Sequence, residues 1–72
     1  MSSTEEGVIR AIGKIVKDRE VRVESTFEEL GMDSLAIIEA AFEIEEEFDL
    51  RIPDGDMKQI RSVRDVIDGI ER

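Results

Sequence analysis

A chain of 72 residues buries about 60 to 65 per cent of the surface it exposes when unfolded, leaving no room for a second domain or a deep enzyme cleft. It holds no His and no Cys, which excludes imidazole bases, thiol nucleophiles, Cys/His zinc sites and disulfides. With 19 acidic against 10 basic residues the net charge is −9, which repels nucleic acid and anionic membrane and favours a protein partner with a basic docking patch.

The amino terminus, Met1 Ser2 Ser3 Thr4 Glu5 Glu6, lacks the basic and apolar regions of a secretory leader, and no apolar run approaches the roughly 18 to 20 residues that span a bilayer. Residues 1–72 are therefore expected to form one soluble, cytoplasmic domain, monomeric, without repeats or low-complexity segments.

Val8, Ala11, Ile12, Ile15 and Val16 fall at i, i+3, i+4, i+7 and i+8, which predicts an amphipathic helix from about Thr4 to Lys17. Ser3 with Glu6 has the spacing of a capping box, and Lys14, Lys17 and Arg19 sit near the end where the helix dipole favours cations. Residues 18–25 read as an extended loop, because a lone strand would have no partner in this chain. Thr26 to Leu30 again has capping-box spacing and predicts a single turn, Phe27 and Leu30 inward, closed by Gly31.

A second helix is predicted from Ser34 to Phe48. Residues 100° apart place Ile37, Ala40, Ala41, Ile44 and Phe48 on one face, enough to bury the helix. Leu35, Ile38 and Phe42 are left on an adjoining face, beside Ser34 and rimmed by Glu39, Glu45 and Glu46; a helix buried over a wide arc is the alternative. Pro53 precedes a short third helix around Met57 to Ile60, for which Asp56 and Gln59 have capping-box spacing. Ser62 is a fitting N-cap for a fourth helix, with Val63, Val66, Ile67 and Ile70 as its buried stripe and Arg64 and Asp68 able to pair outside. The fold class expected is all-α, a small bundle of three main helices and one short one.

The second helix breaks local electrostatic rules. Glu45, Glu46, Glu47 and Asp49 lie at its carboxyl end, and Glu39, Glu43 and Glu47 stack as like-charge pairs, together costing on the order of 1 to 4 kcal/mol before screening. The first helix obeys the same rules, so the acidic face reads as functional, with solubility alone as the alternative. Gly31 Met32 Asp33 Ser34 Leu35 delivers a serine to a helix start, where unpaired N–H groups and the positive dipole end suit a phosphate. No general base or oxyanion hole accompanies it, and Gly-x-Asp-Ser-Leu is not a hydrolase elbow. No catalytic residue is assigned, and Ser34 as a plain N-cap is the structural alternative. No metal site is assigned either: Asp54 Gly55 Asp56 lacks the later ligands and glycine of a calcium loop.

Phe27 to Leu35, then Glu43 to Leu50, then Ile52 Pro53 Asp54 resemble the signature of the acyl carrier protein family at its usual spacing, over nearly the whole chain. The resemblance implies a four-helix bundle and a serine, here Ser34, to which a phosphopantetheinyl transferase attaches 4′-phosphopantetheine from coenzyme A. The arm's thiol would form thioesters that a chain without Cys cannot form. Asp33 resembles the acid beside the serine that helps position the transferase's metal ion. Leu35, Ile38, Glu39, Phe42, Glu45 and Glu46 match positions that family members present to basic patches on acyl-transferring and condensing enzymes. Two features depart from the pattern: a shorter segment before Ser34, and Ala36 where the family often has an acidic or polar residue.

The function expected is therefore a carrier, not an enzyme, shuttling acyl groups between separate enzymes of fatty acid or polyketide synthesis. An aminoacyl or peptidyl carrier and an unmodified acidic adaptor are the alternatives.

Overall fold

Apolar residues spaced three and four apart build three of the four helices that a computed structural model describes over residues 3–71; the fourth is a single turn of mostly polar residues. Helix α1 spans Ser3–Gly13 and buries Val8, Ala11 and Ile12. Two expectations about it are corrected. Ser3 is itself helical, so any N-cap lies outside the described residues. The helix also ends at Gly13, short of Lys17, because glycine leaves a helix at little cost and the chain tightens there: Lys14 N–H bonds Ala11 O at 3.2 Å and Ile15 N–H bonds Ile12 O at 2.9 Å. That tight turn still delivers Val16 to the core.

The segment that follows is a loop without a strand, as expected, but it is not extended throughout: it bends at residues 18–19 and turns at 23–24, where Ser25 N–H bonds Arg22 O at 3.0 Å and Arg22 N–H bonds Ser25 Oγ at 3.0 Å. Its end is secured by a feature no local pattern signals, an isolated antiparallel bridge between Thr26 and Ser62. Phe27 N–H bonds Arg61 O at 2.9 Å and Val63 N–H bonds Ser25 O at 3.0 Å, tying the loop to the start of the last helix.

Helix α2 spans Ser34–Phe48, with the predicted bounds, and buries Ala40, Ala41 and Ile44 while Ile37 and Phe48 are half-buried. Its end is closed by Asp49 in the left-handed region, φ 53°, whose N–H bonds Glu45 O. Helix α3 spans Asp54–Met57. The prediction placed it later and gave Asp56 the capping role; instead Pro53, with φ −62° and ψ 148°, sets the turn and its carbonyl accepts from Asp56 and Met57 N–H. Helix α4 spans Val63–Glu71, and Ser62 Oγ accepts from Asp65 N–H at 3.2 Å, the predicted cap. Arg64 and Asp68, spaced to pair, form no ion pair.

Helix α1 packs against both α2 and α4 and is the axis of the core. Ile12, Ile44, Ile67, Val8 and Val63 are fully buried around it. Its approach to α2 is close because Gly7 has no side chain: a Cβ there would stand 2.5 Å from Phe48 Cζ.

Candidate functional site

The turn before α2 is built in layers. Thr26 and Glu29 form the predicted capping box: Thr26 Oγ1 accepts from Glu29 N–H at 3.1 Å, and Thr26 N–H reaches Glu29 Oε1 at 3.4 Å. Leu30 N–H then bonds Thr26 O, Gly31 N–H bonds Glu28 O and Met32 N–H bonds Phe27 O, at 3.0 to 3.1 Å. Gly31 takes φ +71°, the left-handed conformation that lets the chain reverse. Phe27, Leu30 and Met32 are buried, so the turn is anchored on three side chains. Met32 is an anchor beyond the expected Phe27 and Leu30, and its only signal in the sequence is a lone apolar residue between a glycine and an acid.

Past Met32 the chain emerges. Asp33 is the N-cap of α2, its Oδ1 accepting from Ala36 N–H at 2.8 Å. That assigns the cap to Asp33 and leaves Ser34 as the first helical residue, exposed. The Ser34 hydroxyl forms no hydrogen bond within the described residues, whereas Ser25 accepts from Arg22 N–H and Ser62 caps α4. The first turn of α2 contains no acid, while that of α1 carries Glu5 and Glu6. An anion at Ser34 would meet the positive end of a 15-residue helix, beside the capping carboxylate of Asp33 and with no acid among the first helical residues that follow. Arg19, absent from the predicted site, lies against the turn from the preceding loop, its Nη1 donating to Glu29 O at 2.6 Å.

Along α2 the leftover apolar residues face water, not the core. Leu35 is 65 % exposed, Phe42 56 % and Ile38 39 %, which rules out the wide-arc alternative. Three adjoining exposed apolar side chains on a small domain form the kind of patch that marks an interaction surface. Glu39 and Glu46 are exposed beside it. Glu45 is different: it is half-buried, and its Oε2 accepts from Ile52 N–H at 2.7 Å, tying the loop after α2 back to the helix. Glu47 bonds Arg10 on α1 at 3.1 Å. Two of the crowded acids thus have partners, and the electrostatic cost of the acidic end is smaller than the sequence alone implies.

Ala40 and Ala41 border a cavity of only about 10 Å³, closed by Phe27, Ile37, Ile44 and Met57. Such a volume is at the limit for one water molecule, so the two alanines serve close packing.

A family model described as the phosphopantetheine attachment site matches residues 6–70. Among solved structures, a candidate acyl carrier protein from Mycobacterium tuberculosis superposes with a TM-score of 0.86 at 31% identity, covering 96% of each chain. The acyl carrier protein of Thermotoga maritima superposes with a TM-score of 0.77 at 33% identity, covering 96% of this chain and 88% of its own.

Proposed function

The chain belongs to the acyl carrier protein family, and from that membership we propose that it carries acyl groups on a 4′-phosphopantetheine arm attached to Ser34, delivering them to separate enzymes of fatty acid or polyketide synthesis. The prosthetic group is the one that the matched domain attaches covalently. When bound it supplies a thiol on a flexible tether, and this chain has no Cys of its own.

The residues present fit that group. The observation that carries the reading is the Ser34 hydroxyl: exposed, unused by the fold, and set at the positive end of α2, where the one neighbouring acid, Asp33, is engaged as the N-cap. A phosphodiester there gains from the helix dipole, by about 0.3 to 1 kcal/mol for an exposed anion. Asp33 holds the helix start with Oδ1, which fixes the serine's direction, and its second carboxylate oxygen remains available to a metal ion brought by the phosphopantetheinyl transferase. Leu35, Ile38 and Phe42 supply the apolar centre of a docking face, with Glu39 and Glu46 steering basic patches on the transferase and on acyl-transferring and condensing enzymes. Glu45 contributes to that face mainly by holding the loop behind it.

The test is intact-mass analysis after incubation with coenzyme A and a promiscuous transferase. The wild-type chain gains a single arm, and Ser34→Ala gains none while remaining folded. An adduct on Ser2, Ser3, Ser25 or Ser62 in that variant would overturn the assignment.

A further inference from the structure

We propose that Arg19 is a positioning residue for the loading of Ser34, acting by pinning the Gly31 turn. This rests on Ser34 as the attachment residue.

The backbone of the turn shows why a pin is needed. The carbonyls of Thr26, Phe27 and Glu28 each accept a backbone N–H from Leu30, Met32 and Gly31. Glu29 O is the next in line and receives no backbone donor, the ordinary fate of a carbonyl at the end of a helical turn. Arg19 Nη1 fills that place at 2.6 Å. The same guanidinium covers Gly31: a Cβ on that glycine would meet Arg19 Nη1 at 3.3 Å, Cζ at 3.5 Å and Nη2 at 3.6 Å. One side chain from the loop after α1 thus holds both the last carbonyl of the turn and the left-handed glycine through which the chain reverses.

The choice of partner is informative. The chain has 19 carboxylate side chains for its 10 cations, and Arg10 and Arg22 take carboxylates at 3.1 and 3.0 Å. Arg19 takes a backbone carbonyl instead. Buried Leu30 and Met32 fix the chain on either side of Gly31, but on the glycine itself only its N–H bond to Glu28 O and the Arg19 guanidinium act, and glycine is the residue with most freedom to use any slack between the two anchors. Ser34 lies three residues beyond. Small displacements of a reacting group lower the rate of the step it enters far more than they lower binding through a surface that has not moved.

The experiment compares wild type with Arg19→Met, which keeps an apolar stem and removes the donor, in transferase kinetics with coenzyme A and in amide hydrogen exchange of the apo chain. Losing one charged donor to a carbonyl predicts a kcat for loading about five- to tenfold lower. The KM for the carrier stays within about twofold, because the docking face on α2 is untouched. Exchange at Gly31 and Met32 accelerates while Ile12 and Ile67 in the core keep their rates. Unchanged kcat, a loss confined to KM, or exchange rising equally through the core would each overturn the proposal: the second would make Arg19 a charge contact for the transferase or coenzyme A, the third a general stabiliser. A wild-type chain that takes up no arm would instead overturn the reading of Ser34 itself, and this proposal with it.

Discussion

Gly7 of α1 faces the ring of Phe48 in the last turn of α2, so closely that a single methyl on the glycine would stand 2.5 Å from Cζ. The contact sets the spacing of α1 and α2, which supply six of the thirteen buried hydrophobic residues. Replacing Gly7 by Ala has two opposing effects. Helix propensity improves by about 1 kcal/mol, while overpacking against a half-buried ring costs about 1 to 3 kcal/mol. Gly7→Ala is therefore expected to lose about 1 kcal/mol in denaturant unfolding. In a Phe48→Val background the same change is expected to stabilise, since the obstacle is gone. A double-mutant cycle with the same sign in both backgrounds would show that the ring does not set the spacing.

The two apolar faces of α2 are expected to separate stability from docking. Ile44 is 1 % exposed and Ile38 39 %, so Ile44→Ala should cost about 2 to 5 kcal/mol and Ile38→Ala within about 1 kcal/mol. Loading rate, or turnover by the cognate synthase, should fall for Ile38→Ala despite its intact fold. Equal destabilisation of the two variants would return Ile38 to the core.

Glu45 and Glu46 are neighbours with different work. Glu46→Lys, on an exposed position, should leave the melting temperature unchanged or raise it, and should slow association with a basic partner in a salt-dependent manner. Glu45→Lys removes the carboxylate that Ile52 N–H donates to at 2.7 Å, a loss of about 1 kcal/mol even after the gain from placing a cation at the helix end. Thermal melts of the two variants decide it; a Glu45→Lys protein as stable as Glu46→Lys would mean that the loop is held by its apolar contacts alone.

Asp49 closes α2 with φ 53° and carries a negative charge at the negative end of the dipole. Both features are unfavourable. Asp49→Gly should stabilise by about 1 kcal/mol, and Asp49→Asn, which removes the charge and keeps a residue tolerant of that conformation, by about half as much. Melting temperatures at low and moderate salt separate the two causes, since only the charge contribution is screened.

Much of this molecule was written in local pattern. The bounds of α2, the cap at Ser62, the box between Thr26 and Glu29 and the inward Phe27 and Leu30 all follow from interactions within a turn or two, where spacing along the chain is spacing in space. The exposed stripe of Leu35, Ile38 and Phe42 was legible for the same reason: α2 has more apolar residues than one buried face can use. Helix ends that depend on how the chain leaves the bundle were not legible, and both α1 and α3 end or begin elsewhere than their periodicity implies. Only tertiary structure decided that Glu45 holds Ile52, that Thr26 bridges Ser62, that Phe48 lies on Gly7 and that Arg19 covers Gly31. The physical reason is common to all four. Each joins residues in different turns, loops or helices, and which of several chemically competent partners a side chain or backbone group meets is set by how the helices pack, not by the residues beside it in the chain.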